Sequence, residues 1–371
     1  MNLTTEIIQD TLGPLKPLLA DPEVTDILVF SARKIFVRRR FGNFAAHPGG
    51  WRSDEDLTVC LEAIARFIRR KLDRDNPILD ARLPDGTRVN VIMEPCYAAG
   101  GAFLALRIFG REPLGVADLL RFGAFDEAGL AILQSIVAAG RNILISGGVG
   151  SGKTTLLNVL GGFIPDGDLV VTVEDSREIR LQNELWAPLE SKKRIYGDDT
   201  EYTLRDLVRN ALRMNPRWLI VGEVRGAEAH DLCRAMNTGQ SGIGTVHANS
   251  AYDALLALET LYLQSGVETS ARSVKETIAR GVHVVIQAEM LPDHSKKIVE
   301  IIEVRGLDHD SPACPYRVQE LYRFTPEGIV ERRVQGRFEV TGRPLFVERL
   351  RTFNPEAVPP FWRGEQETVH E

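Results

Sequence analysis

Cysteine is scarce in this sequence: Cys60, Cys96, Cys233 and Cys314 are the only four in 371 residues, and none forms a C-x-x-C pair. That spacing indicates neither a zinc module nor a disulfide framework, and it suits a reducing cytosol. Long apolar runs are missing too. None approaches the roughly 20 residues that a bilayer-spanning helix needs. The first residues, MNLTTEIIQD, lack the basic head and apolar stretch of a signal peptide. Positive charge is not in surplus: 45 Lys and Arg stand against 51 Asp and Glu, a net charge of −6. This argues against a surface built throughout for nucleic acid, although a local basic patch stays open. Aromatic residues make up 7% and are not interleaved with basic ones, so platforms for stacking bases are not indicated. With 44% hydrophobic and 26% charged residues, the composition is that of a globular chain long enough for two domains.

What is present centres on ILISGGVGSGKTTLLN, residues 143–158. An apolar run enters a glycine-rich turn, and a helix-forming segment leaves it. Glycines let the backbone curl so that successive N–H groups point at phosphate oxygens, and the helix start adds partial positive charge. Gly147, Gly152, Lys153 and Thr154 satisfy the phosphate-loop pattern G-x-x-x-x-G-K-[ST] in full. The expected cradle is Gly147, Gly148, Val149, Gly150, Ser151, Gly152, Lys153, Thr154 and Thr155. Lys153 reaches the β- and γ-phosphates and the Thr154 hydroxyl ligates Mg²⁺. The expected ligands are therefore ATP and Mg²⁺.

Upstream, residues 1–24 read as helix ending in a loop. Two short β-type runs follow, DILVF (26–30) and KIFVR (34–38). Residues 53–73 have helical periodicity, with Leu57, Leu61, Ile64, Ile68 and Leu72 on one face and Arg66, Arg69, Arg70 and Arg74 on the other. That basic face is either solvated or a contact for anionic lipid, nucleic acid or a neighbouring subunit. The turn Pro84, Asp85, Gly86 predicts a hairpin, and AFLALRIF (102–109) another strand. Residues 1–109 thus form a small α+β domain with a mostly antiparallel sheet, and 110–115 a linker. From residue 116 to 330, helices alternate with buried strands, which implies a parallel sheet covered on both faces. Residues 331–371 are set apart as a C-terminal extension.

In such sheets ligands bind at the C-terminal ends of the strands. There the reading places Glu174, after a strand over 168–173; Glu223, closing LIVGE (219–223); and His247, after GTV (244–246). Glu223 is placed to hold Mg²⁺ through water or to polarise the attacking nucleophile. Glu174 is a second strand-end acid. His247 is either a core histidine or a reporter on the phosphates. Arg209, Arg213 and Arg225 flank this strand, and a guanidinium fork suits either γ-phosphate charge or an interface.

Four motifs stand in order: the phosphate loop (147–155), VEDSRE (173–178), LIVGEVRG (219–226) and TGQSGIGTVHAN (238–249). In this order and spacing the chain resembles the traffic ATPases of the type II/IV secretion superfamily, over nearly its whole length. The nearest resemblance is to the tight-adherence (Flp) pilus type, the CpaF/TadA-type ATPases. The segments GPLKPLLADP (13–22), DARLPDGTRVN (80–90), NALRMNP (210–216), AMNTGQ (235–240) and TGRPLF (341–346) carry it. Departures such as Gln240, where histidine is common, leave a conjugative TrbB-like ATPase or another type IV secretion ATPase as the alternative. A DNA-translocating motor is disfavoured by the charge. The resemblance implies an α/β chain with an N-terminal α+β PAS-like domain and a C-terminal RecA-like ATPase domain. It implies a cytoplasmic homo-hexamer, peripheral at the inner face of the inner membrane, that drives an inner-membrane platform protein. Arg88 and Arg107 match the positions whose arginines reach the phosphates from the N-terminal domain.

Overall fold

A computed structural model describes residues 12–39, 42–83, 85–108, 113–192, 200–308, 310 and 315–363. Residues 1–11 of the stretch 1–24 read as helix and loop, Pro84 of the expected turn, residues 109–112 and Cys314 lie outside them. The chain divides into two compact units, residues 1–112 with 194–200 and residues 113–193 with 201–371.

In the first unit α1 (Leu15–Ala20) leads to β1 (Val24–Ser31), β2 (Lys34–Arg39) and β3 (Ala45–His47), then α2 (Asp54–Phe67), β4 (Ile78–Arg82), β5 (Arg88–Met93) and β6 (Ala102–Arg107). The strands form an antiparallel sheet in the order β3-β2-β1-β6-β5-β4. Alternation drives this layer: Ile27, Val29, Val89, Val91, Leu104 and Leu106 are buried and pack with Leu57, Leu61 and Ile64 of α2. Ser53 caps α2 by accepting a hydrogen bond from the Asp56 N–H, and three acids occupy its first turn. The helix is shorter than its periodicity suggests. Arg69 turns to φ 55° and the Arg70 N–H donates back to Ala65 O (2.8 Å), a left-handed C-terminal cap. Of the four arginines read as one helical face, only Arg66 lies on the helix.

The second unit opens with α3 (Val116–Arg121) and α4 (Glu127–Ala138). It continues through β7 (Ile143–Ser146), α5 (Lys153–Gly161), β8 (Val170–Glu174), β9 (Trp186–Glu190), α6 (Leu204–Ala211) and β10 (Trp218–Val221). Next come α7 (Glu228–Asn237), β11 (Ser241–Val246), α8 (Ala251–Leu263), α9 (Ala271–Gly281) and β12 (Val284–Met290). Last are β13 (Lys296–Leu307), β14 (Tyr316–Val330), β15 (Arg333–Val340), α10 (Val347–Phe353) and α11 (Pro360–Arg363). The sheet runs β15-β14-β13-β12-β7-β11-β10-β8-β9. From β12 to β9 every pairing is parallel. Neighbouring residues feed opposite cores: Ile143 and Ile145 enter one, Leu144 the other. Both faces are covered, as the apolar runs require.

Two sequence-based expectations are corrected here. The sheet is not purely parallel, because β13, β14 and β15 extend it as an antiparallel meander. Nor do the described residues after 330 form a separate extension. β15 pairs with β14, and Phe346, Val347, Leu350, Val358 and Trp362 are buried in the core beside β7. Glu303, 5% exposed, holds this tail by accepting from the Leu345 N–H (2.9 Å).

Polar side chains tie distant elements together. Asn142 donates through Nδ2 to Met236 O (2.9 Å) and Gly281 O (2.6 Å), accepts from the Gly242 N–H (2.8 Å), and its own N–H donates to His283 Nδ1 (3.0 Å). Burial, aided by Arg141, pushes the His283 imidazole down to about 4. An unfolded histidine protonates near 6.5. The unfolded chain therefore takes up this proton first as pH falls, so stability is full above about 6.5 and is lost between there and about 4. Unfolding curves from pH 7 to 4 should show about 3 kcal/mol lost through this group, and His283→Gln should flatten that slope.

Asp126 caps α4 through the Gly129 N–H (2.8 Å), and the same Oδ1 accepts from the Tyr322 hydroxyl (2.8 Å). A Cβ on Gly129 would stand 2.6 Å from Tyr322 Oη. Gly129→Ala should therefore cost about 1–3 kcal/mol by overpacking, read by chemical denaturation. Unchanged stability would show that Tyr322 moves aside freely.

Candidate functional site

The phosphate loop spans the end of β7 and the start of α5. Gly147 has φ 152°, and a Cβ there would strike Ala288 O at 2.1 Å. Gly152, at φ 99°, caps α5 in the left-handed region that favours glycine. Beyond Gly148 nothing lies within 4 Å of where a Cβ would be, and Val149 is 81% exposed, so the loop is open outward. Ser151 Oγ is buried and has no hydrogen-bond partner among the described residues. Thr154 and Thr155 are half-buried on the first turn of α5. A curled glycine loop, a helix N-terminus, an orphaned hydroxyl and a lysine make a donor set that fits a polyphosphate with Mg²⁺.

Lys153 is 8% exposed, and its Nζ donates to Gly147 O and Gly148 O, both at 2.8 Å. Burial holds its pKa below the usual lysine value, countered by the Glu223 carboxylate. The ammonium also lies 3.5 Å from His247 Nδ1, while His247 Nε2 is 2.9 Å from Glu223 Oε1. With a cation facing Nδ1 and a carboxylate facing Nε2, the network assigns the tautomer protonated on Nε2. Glu223 Oε2 accepts from Arg225 Nη2 (2.6 Å). Burial pulls the Glu223 carboxyl up, but Arg225, His247 and Lys153 together hold it below its ordinary value. Arg225, Glu223, His247 and Lys153 therefore form one polar chain across the C-terminal ends of β10, β11 and β7.

Glu174 ends β8, two strands beyond β11, and is 3% exposed. Its Oε1 accepts from the N–H groups of Glu178 (2.8 Å) and Ile179 (2.9 Å), clamping its own loop. Oε2 is buried and has no hydrogen-bond partner among the described residues. Burial raises this carboxyl to about 7, opposed by the two backbone donors. A Cβ on Gly222 would stand 2.8 Å from Glu174 Cγ, so the glycine before Glu223 makes room for the neighbouring acid.

Of the three arginines flanking β10, only Arg225 meets Glu223. Arg209 pairs with Asp231 (3.3 Å). Arg213 is exposed on the turn Leu212–Met214 that enters β10, at the strand end opposite Glu223. In the first unit Arg88 and Arg107 are direct cross-strand partners, half-buried and exposed respectively. Asp26 lies opposite Arg107 on the next strand and is bridged by Arg38 at 2.7 Å.

Sequence reading missed the residues that hold this geometry. Glu228 Oε1 accepts from the N–H groups of Arg225 (2.6 Å) and Gly226 (2.9 Å), fixing the turn that aims Arg225. A carboxylate just past a glycine turn and at a helix start was the available signal. Thr245 Oγ1 donates to Gly222 O (2.7 Å), joining β11 to the end of β10. Asn158 of α5 accepts from the Arg180 N–H (2.7 Å), and no local pattern announces that contact.

A family model described as "Type II/IV secretion system protein" matches residues 8–338. An uncharacterized protein of Methanocaldococcus jannaschii is 42% identical over 212 residues, which cover 56% of this chain but only 28% of that protein. The type IV secretion system protein PtlH of Bordetella pertussis is 33% identical over 283 residues, covering 68% of this chain and 81% of PtlH. Among solved structures, the ATPase DotB of Legionella pneumophila superposes with a TM-score of 0.57 at 19% identity, over 82% of each chain, a likeness of fold. No helix among the described residues is long and apolar enough to cross a membrane. A phosphate loop and strand-end acids on a parallel sheet, matched over most of the chain, make this protein a member of the type II/IV secretion system protein family, with an α+β unit and a RecA-like unit.

Proposed function

We propose that this protein hydrolyses ATP with Mg²⁺ and, as a homo-hexamer, drives pilus assembly or protein secretion through an inner-membrane platform protein. The observation that carries the reading is the polar chain from Arg225 through Glu223 and His247 to Lys153 at the mouth of the phosphate loop. Bound Mg²⁺ supplies charge neutralisation for the polyphosphate. Thr154 would hold it, with Glu223 behind a water. The cradle 147–155 binds the phosphates through its N–H groups and Lys153. Glu223 orients the attacking water, and Glu174, raised to about 7, is poised to accept a proton. His247 touches both Lys153 and Glu223, so it relays the state of the phosphates between them. Arg88 and Arg107, adjacent on one sheet, are assigned to the phosphates by the family resemblance. Arg213 serves a subunit interface.

The place of work in this reading is the cytoplasm, at the inner face of the inner membrane. The CpaF/TadA-type role in tight-adherence pili is supported by the segments quoted from the sequence. The similarity to PtlH favours a second reading, a type IV secretion or conjugative ATPase. Phosphate release by the assembled protein, wild type against Glu223→Gln, tests the hydrolytic core. Complementation of a pilus-deficient or a conjugation-deficient host separates the two roles.

A further inference from the structure

Two side chains outside the four motifs stand beside glycines of the phosphate loop. Both come from the hairpin that joins β12 to β13. A Cβ built on Gly152 would stand 3.4 Å from Lys296 Cδ and 4.0 Å from Lys296 Cβ, so the lysine stem lies along this glycine. A Cβ built on Gly150 would stand 3.9 Å from the Met290 thioether sulfur. Met290 is 43% exposed and Lys296 is exposed, so neither is used up as core.

The hairpin that carries them is held from several sides. The Leu291 N–H donates to Ser295 O and the His294 N–H to Leu291 O, both at 2.8 Å. Asp293 accepts from the Ser295 N–H (3.0 Å) and hydroxyl (2.6 Å), and from the Val334 N–H of β15 (2.9 Å). Lys297 points the other way along the strand. It donates to Gly123 O (2.8 Å) and sits 4.9 Å from the Phe324 ring centroid. Strand alternation and these ties hold the hairpin so that the Lys296 stem lies beside the loop.

We propose that this hairpin is a second wall of the nucleotide site, with Lys296 as a second cation for the polyphosphate and Met290 as an apolar shelf for the nucleoside. The ligand class is a nucleoside di- or triphosphate, and the inference rests on the phosphate-loop reading above. Lys153 serves the inner side of the loop, where its ammonium meets the carbonyls of Gly147 and Gly148. Lys296 approaches the same loop from β13. Two cations on opposite sides of one curl neutralise a polyphosphate better than one, and the exposed one is the more sensitive to salt.

Calorimetric titration of the full chain with MgADP tests this, using wild type, Lys296→Ala, Lys296→Arg, Met290→Ala and, as reference, Lys153→Ala. Lys296→Ala should weaken binding about fivefold at about 50 mM KCl, and the gap should close towards unity at about 500 mM as screening shortens. Lys296→Arg should stay within about twofold of wild type, since the charge is kept. Met290→Ala should lose about threefold without salt dependence, the signature of lost apolar contact. If Lys153→Ala loses binding but Lys296→Ala matches wild type at both salt concentrations, the hairpin is not part of the site and the proposal fails. If Lys153→Ala itself binds like wild type, the underlying phosphate-loop reading fails instead.

Discussion

Glu223→Gln is expected to lower ATP turnover about 10²–10³-fold while leaving MgATP affinity within about threefold. The substitution keeps the volume and removes the charge. Glu223 is the group between His247 Nε2 (2.9 Å) and Arg225 Nη2 (2.6 Å), and its two oxygens accept from both. Its carboxyl is held below the ordinary value, so it is ionised throughout the neutral range. An amide still accepts one of these hydrogen bonds but offers no negative charge to polarise water. Binding persists because the cradle is built from the N–H groups of the phosphate loop and Lys153. Phosphate release and titration calorimetry on the same assembled preparation separate the two effects. Turnover above a tenth of wild type would remove Glu223 from the proposed role.

Lys153→Ala should instead abolish tight binding, by about 100-fold in MgADP dissociation constant. Hydrogen bonds to charged groups contribute about 1.5–3 kcal/mol, and each 1.4 kcal/mol is tenfold. Lys153 stands at the helix start with its ammonium enclosed by two carbonyls and His247, and burial lowers its pKa while the nearby Glu223 carboxylate works against that shift. Removing it takes away the cation that faces the loop interior and leaves Glu223 nearer to the phosphates uncompensated. Affinity within about fivefold of wild type would mean that the ligand sits elsewhere.

Much of the site was legible because its chemistry is written in short spacings. A strand, a glycine turn and a helix start follow one another within 143–158, and local propensity is enough to build them. The strand-end acids were readable because a buried apolar run closed by a carboxylate marks the strand's C-terminal edge, where a parallel sheet binds its ligands. The reading faltered where long-range packing decides. Residues 67–74 continue a helical pattern, yet α2 stops at Phe67 because the chain turns left-handed at Arg69. Residues 296–330 were read into the parallel sheet, yet β13, β14 and β15 add to it as an antiparallel meander that starts from β12. Arg213 and Arg225 were offered alike as flanking arginines. Their places before and after β10 follow from the sequence, but the structure decides that Arg225 folds back onto Glu223.

By itself the sequence determined the local devices: the phosphate loop, the acids closing β8 and β10, the hairpin of β4 and β5, and the order of the motifs. Backbone conformation over a few residues depends on their own side chains, so these survive without tertiary context. Only the tertiary structure decided which groups meet. Lys153 and His247 are 94 residues apart, and they face each other because β11 lies directly beside β7. Glu174 comes to rest against Gly222 because β8 pairs with β10. Lys296 reaches Gly152 because β13 returns along β12, which lies directly beside β7. Strand order is set by the simultaneous burial of two sheet faces, a condition on the whole unit that no short stretch carries.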